Sequence, residues 1–267
     1  MSELSKRVLI AIPLALLVLY VTWLGSHFFL VFIAVIALIT VWEIHRIMVH
    51  AGKSDYLILS IMIGCAVWSG LFFPPYVSLS LIGLILIISL GALVRPERVF
   101  SERWFSTLFT GVYAPTGFLM MVYIRNLGDG FDGFWLTMTL FLMIWGNDIF
   151  AYFGGKTFGK RALAPTISPK KTWEGFYWGF AGAAIGFLII FYVANPYPLP
   201  IWSVIPAVVI ISLFGPLGDI AASSLKRKAD LKDSSSILPG HGGFFDRFDS
   251  LILSAPFLFF FYLILIG

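Results

Sequence analysis

The stretch GHGGFFDRFDSLILSAPFLFFFYLILIG, Gly240–Gly267, decides the fold. Its opening crowds His241, Arg247, Asp246 and Asp249 among glycines. From Ser250 to Ile266 no residue is charged. An apolar run of that length matches the ~30 Å hydrocarbon core of a bilayer when it is helical. Lipid offers no hydrogen-bond partner, so a segment crossing it has to satisfy its own backbone, as a helix does. The polar cluster therefore sits at the edge of a membrane span.

The rest of the chain repeats that pattern. Hydrophobic residues make up 59% and charged residues 12%, with a mean hydropathy of +0.93, where a soluble domain carries about 25% charged residues. Apolar runs fall at Val8–Leu24, Phe28–Val41, Tyr56–Phe73, Tyr76–Val94, Phe105–Ile124, Phe134–Phe153, Phe176–Ala194, Ile201–Gly218 and Ser250–Ile266. The expected fold is all-α: a polytopic integral membrane protein of about nine transmembrane helices. Pro74-Pro75 and NPYPLP, Asn195 to Pro200, read as turns, because proline lacks a donor and stops helices. The first run follows Lys6 and Arg7 but is too long for a signal peptide and lacks a small-residue cleavage site, so it reads as a retained helix. The single cysteine, Cys65, excludes an intramolecular disulfide and argues against a cysteine metal site.

Cations set the orientation. With the N-terminus cytoplasmic, every one of the 18 Lys and Arg except Arg125 falls on the inner side, as the positive-inside rule requires. Arg95, Arg98 and Arg103 belong to that inner set. The basic balance, with a pI of about 9.2, thus reflects inner loops and implies no nucleic acid partner. Two inner loops are long, Gly154–Gly175 and Asp219–Asp249, and long loops in compact proteins are often functional. The chain divides into 1–133, with five spans, and 134–267, a catalytic region carrying both loops.

Acidic residues gather at this inner edge. Asp148 interrupts the sixth run, Asp219 closes the eighth, and Asp246 and Asp249 share one face of a helix entering the ninth. Asp219 and Ser223 share a face likewise. One such carboxylate is as readily a helix cap or an interfacial group as a ligand. Four beside Lys226, Arg227, Lys232 and Arg247 point to a shared polar site where phosphates meet a hard divalent metal such as Mg²⁺. Gly240, Gly242 and Gly243 permit φ > 0 and an anion-binding nest, or simply a turn. His241 has three open roles: bonding phosphate, acting as an acid, or bracing the loop. GGKTFGKR, Gly154 to Arg161, fits a phosphate loop until Arg161 stands where Ser or Thr is needed, and it follows a helix. Among the small residues of the seventh run, Gly179, Gly182, Ala183, Ala184 and Gly186 would permit a close helix contact. Internal packing is the favoured use, with a homodimer left open.

The run SSLKRKADLKDSSSILPGHGGFFDRFD, Ser223 to Asp249, resembles the C-terminal motif of the phosphatidate cytidylyltransferase (CDP-diacylglycerol synthase) family. Matching positions are Ser223, Leu225, Lys226, Arg227, Lys232, Asp233, Ser235, Leu238, Pro239, His241, Gly242, Gly243, Phe244, Asp246, Arg247, Phe248 and Asp249. NDIFAYFGGKTFGK, Asn147 to Lys160, and SPKKTWEG, Ser168 to Gly175, resemble the family too. The resemblance implies that CTP and phosphatidic acid, with Mg²⁺ and an optional second metal ion, give CDP-diacylglycerol and pyrophosphate. It implies a bacterial inner (cytoplasmic) membrane, an active site on the cytoplasmic side and lipid reaching it from the bilayer. The expected metal ligands are Asp219, Asp246, Asp249 and Asp148. Ser223, Lys226, Arg227 and Arg247 join the carboxylates in catalysis, and Lys170, Lys171, Thr172, Lys232, His241, Gly242 and Gly243 bind substrate.

Two rival readings share parts of this pattern. A CTP-dependent lipid kinase shares the membrane, nucleotide and metal, but not the motif from Ser223 to Asp249. An ion-coupled transporter would use Asp148, yet the paired halves common in transporters are missing. The D-G-x-x-A-R pattern of CDP-alcohol phosphotransferases is also absent.

Overall fold

The computed structural model describes residues 3–53, 55–94 and 98–266; Arg95, counted above among the inner cations, lies outside them. The helices are α1 Glu3–Leu24, α2 Ser26–His50, α3 Leu57–Trp68, α4 Pro75–Val94, α5 Arg98–Arg125, α6 Asp132–Phe158, α7 Trp173–Val193, α8 Val204–Lys228 and α9 Phe245–Ile266. Each apolar run of the sequence falls on one of them. Among the described residues six, namely α2 and α5 to α9, carry stretches long and apolar enough to cross a membrane. Shorter apolar helical stretches occupy Ile12–Leu24 and Leu57–Leu71. The protein is a polytopic helical membrane protein.

The strand pair β1 Ala162–Ala164 and β2 Ser168–Thr172 departs from the all-α expectation. It forms an antiparallel hairpin inside the loop between α6 and α7. Strands this short carry no alternation long enough to read from sequence. The Glu174 carboxylate fastens the hairpin to α7 by accepting the Lys160 N–H (2.9 Å) and the Arg161 N–H (3.3 Å). The Thr172 hydroxyl caps α7, accepting the Gly175 N–H at 3.1 Å.

Several helices run past their apolar runs, since nothing obliges a helix to end where lipid ends. Continuing α8 from Gly218 to Lys228 matters most. Its last turn holds Lys226, Arg227 and Lys228, cations that favour the negative end of the helix dipole. The extension turns Asp219, Ser223 and Lys226 into one strip along α8, at i, i+4 and i+7.

A glycine seam joins α6 to α7. A Cβ on Gly182 would lie 2.1 Å from the Gly146 carbonyl oxygen, and one on Gly186 would lie 2.4 Å from that of Leu142. At Gly175 the same atom would meet the Ala151 oxygen at 2.5 Å. Small residues let helix backbones approach this closely, so the glycines of the seventh run pack within the chain. Asn147, buried on α6, donates from Nδ2 to the Ser212 hydroxyl of α8 at 3.1 Å. Helix α9 packs on α8 and α5 and also touches α2. Phe257 stacks on Phe214 of α8 at 3.6 Å between ring centres, and Phe248 meets Phe118 of α5 at 5.5 Å.

Candidate active site

Helices α6, α8 and α9 bring the acidic residues to one place. Asp148, Asp219, Asp246 and Asp249 line a polar cavity of about 270 Å³ together with Asp233, Lys226 and Arg247. A second cavity, about 590 Å³, shares Asp148 and Asp219 as lining. Lys156, Lys170, Lys171 and Thr172 line it, as do the less polar Ala151, Tyr152, Phe176 and Pro216. Residues separated by a hundred positions in sequence thus form two adjoining chambers with a common acidic boundary.

Two ion pairs organise the boundary. Lys171 of β2 reaches Asp219 Oδ2 at 2.5 Å, tying the hairpin to α8. Ser223 donates to the other oxygen, Oδ1, of Asp219 at 3.2 Å. Lys226 of α8 pairs with Asp246 Oδ1 of α9, with 10% and 4% of the two side chains exposed. Asp246 Oδ2 accepts three more bonds, from the Ser234 N–H (2.8 Å), the Ser234 hydroxyl (2.9 Å) and the Gly243 N–H (2.9 Å). Asp246, expected among the metal ligands, thus has both oxygens engaged by the chain. Asp249 is buried, and its Oδ1 accepts the neighbouring Ser250 N–H at 2.7 Å. Asp148 is exposed toward the cavities.

The remaining predicted residues fall outside both linings. Arg227 is exposed and donates to the Leu231 carbonyl at 3.1 Å, closing the turn after α8. Lys232 is exposed on the following loop. The His241 N–H donates to the Leu238 carbonyl at 2.8 Å, while its Nδ1 is buried with no hydrogen-bond partner among the described residues. Gly240 and Gly242 have φ of +76° and +80°, the left-handed backbone that glycine supplies without strain.

Gly243 is needed for a different reason. A Cβ there would stand 2.1 Å from Glu43 Oε1 and 2.2 Å from the Ser234 hydroxyl. Glu43, on α2, is the functional candidate that sequence reasoning missed. It is 0% exposed. Its carboxylate accepts from the Ser235 hydroxyl (2.6 Å), the Phe245 N–H (2.6 Å) and the Phe244 N–H (3.1 Å), and it lies 3.2 Å from the Ser234 hydroxyl, whose single proton it shares with Asp246. Of the three glycine amides expected to cradle phosphate, that of Gly243 bonds Asp246, while Glu43 takes the amides of Phe244 and Phe245 that follow. A lone Glu at the end of an apolar run gives no sign of partners 191 to 202 positions away. Lys156 and Tyr152 likewise join the linings unforeseen, as does Asp233, a motif position given no role in the site.

The donor set fits a hard divalent cation bound partly by its substrate. In the smaller cavity five carboxylates share the lining with two cations, Lys226 and Arg247, and even with Lys171 paired to Asp219 negative charge is in excess in a confined space. Among the described residues no three acidic, His or Cys side chains converge as a ready-made metal cage. Mg²⁺ characteristically takes one or two carboxylates and completes its shell with phosphate and water.

An acidic, cation-flanked site at the helix ends of an apolar bundle defines an integral membrane protein with a polar, charged cavity. The cytidylyltransferase family model matches residues 5–265. The chain is 34% identical over 273 residues to the phosphatidate cytidylyltransferase of Bacillus subtilis (strain 168), covering 97% of this chain and 98% of that one. It is 33% identical over 276 residues to the phosphatidate cytidylyltransferase of Brucella abortus biovar 1 (strain 9-941), covering 98% and 94%. With the enzyme of that name from Rickettsia bellii (strain RML369-C) it shares 47% identity over 131 residues, 47% of this chain and 57% of the other. This chain belongs to the cytidylyltransferase family.

Proposed function

We propose that this chain is a phosphatidate cytidylyltransferase, transferring the cytidylyl group of CTP to phosphatidic acid and releasing pyrophosphate. One observation carries the reading: two chambers meet at Asp148 and Asp219, one polar and the other combining lysines with apolar walls. That pairing suits a soluble triphosphate on one side and a lipid phosphate on the other.

In the reaction a phosphatidate phosphate oxygen attacks the α-phosphorus of CTP. The bond between the α-phosphorus and its bridging oxygen to the β-phosphate breaks, and pyrophosphate leaves with the electron pair. A phosphate monoester is already ionised near pH 7, so no side chain has to remove a proton. The protein's task is to place two anions in line and to offset their charge. Lys226 and Arg247 face the polar chamber and hold phosphate oxygens there. Lys170 and Lys171 do so from the hairpin side, with Lys156 beside them. Asp148, Asp219 and Asp249 would hold Mg²⁺, which when bound supplies positive charge against the phosphates. Asp246 orders Lys226 and the loop, and Ser223 orders Asp219. The side bearing these groups is the cation-rich side, which we assign to the cytoplasm of a bacterial inner membrane, with nine crossings.

Purified protein supplied with CTP, phosphatidate and Mg²⁺ should release one pyrophosphate per CDP-diacylglycerol formed. Release of CDP with a newly phosphorylated lipid would sink the reading and favour a lipid kinase.

A further inference from the structure

Glu43 has no part in the transfer as described, yet it is among the most heavily bonded side chains near the site. Its four donors come from two places: the Ser234–Ser235 segment and the start of α9, at Phe244 and Phe245. The first N–H groups of a helix have no partner within it, and an anion placed there is favoured by the helix dipole. For α9 that anion comes from α2. The connection continues inward: Ser234 touches Glu43 and also bonds Asp246, which pairs with Lys226. Gly243 makes the arrangement possible, since any Cβ there would overlap Glu43. The first two turns of α9 carry Asp246, Arg247 and Asp249, all on the polar cavity.

We infer that Glu43 is a positioning residue: a carboxylate from α2 caps α9 across the bundle and, through Ser234 and Asp246, sets where Lys226 and the α9 carboxylates face the reactants. The catalytic half of the inference rests on the cytidylyltransfer reading above; the capping half does not. Glu43 touches neither cavity lining, so its loss acts through geometry.

The test uses the full-length protein in detergent with Glu43→Gln, which keeps the shape but turns an amide NH₂ toward donors, and with the milder Ser234→Ala. Three readouts are taken: hydrogen exchange at Phe244 and Phe245, and kcat and KM for both substrates. Exchange at both amides should rise in Glu43→Gln. Turnover should fall about tenfold to a hundredfold, the scale of a misplacement near 1 Å, with both KM values nearly unchanged. Ser234→Ala should lower kcat in the same sense, and the double variant should lose less than the product of the two effects, because both act on one path. Unchanged exchange at Phe244 and Phe245 overturns the capping assignment, whatever the enzyme catalyses. Wild-type kcat in the folded Glu43→Gln protein, or a raised KM with kcat intact, overturns the positioning role. A wild-type protein that exchanges as expected but releases no pyrophosphate would refute the reaction assignment alone.

Discussion

The Lys226–Asp246 pair offers a quantitative test of how the site is built. Both side chains are nearly dehydrated, at 10% and 4% exposure. Removing one partner of a buried pair leaves an uncompensated charge, at a typical cost of about 3–5 kcal/mol. In Lys226→Met the stranded group is Asp246, which keeps donors from Ser234 and Gly243. Those bonds place the expected loss near the lower end, about 3 kcal/mol. In Asp246→Asn the stranded group is Lys226, and the new amide NH₂ also faces the same three donors, so a similar loss of about 3 kcal/mol is expected. Combining the two removes both charges, and the double variant should lose about as much as either single, not their sum. A chain of this size shifts its melting temperature by about 2–4 °C per kcal/mol, giving roughly 6–12 °C for each variant. Nine tryptophans make intrinsic fluorescence a suitable probe in detergent. Turnover should vanish in all three variants while protein still accumulates in membranes, because recovered stability does not restore the lysine. Additive losses of stability in the double variant, or single variants as stable as wild type, would refute the reasoning.

Two other outcomes follow from the geometry. Gly182→Val should greatly reduce the yield of folded protein, since its side chain would invade the Gly146 carbonyl, whereas Gly83→Val, with open space around its Cβ, should express normally in membrane fractions. Chelating divalent cations should abolish pyrophosphate release and Mg²⁺ should restore it, with the magnesium requirement shifted to higher concentration in Asp249→Asn.

The sequence disclosed what the bilayer and the chemistry impose locally. Lipid leaves a crossing segment little choice but a helix, so the runs from Val8 to Ile266 located every helix. Position at the inner ends of apolar runs drew attention to Asp148 and Asp219, and the motif from Ser223 to Asp249 to Asp246 and Asp249, because phosphate chemistry demands that mixture of residue types. What stayed hidden depends on distant contact. Gly243 looked like a phosphate cradle, and only the approach of Glu43 shows why it carries no side chain. Arg227 and Lys232 lie exposed outside both linings, a placement hidden from the sequence because charge pattern cannot tell a residue facing a cavity from one facing water. The hairpin at Ala162–Thr172 was invisible because strands of three and five residues leave no period to read.

The cap supplied by Glu43 has a consequence for how the protein is made. Chains leave the ribosome at about 5–20 residues per second, and the serine that bonds Glu43 most closely lies 192 positions downstream. For roughly 10 to 40 s, then, the nascent protein carries an anion whose permanent donors have not yet been synthesised. The cap of α9 cannot form before α9 itself exists, and a chain cut short before Ser234 leaves that early carboxylate with none of these four donors, a ready mark by which membrane quality control could tell unfinished copies from finished ones.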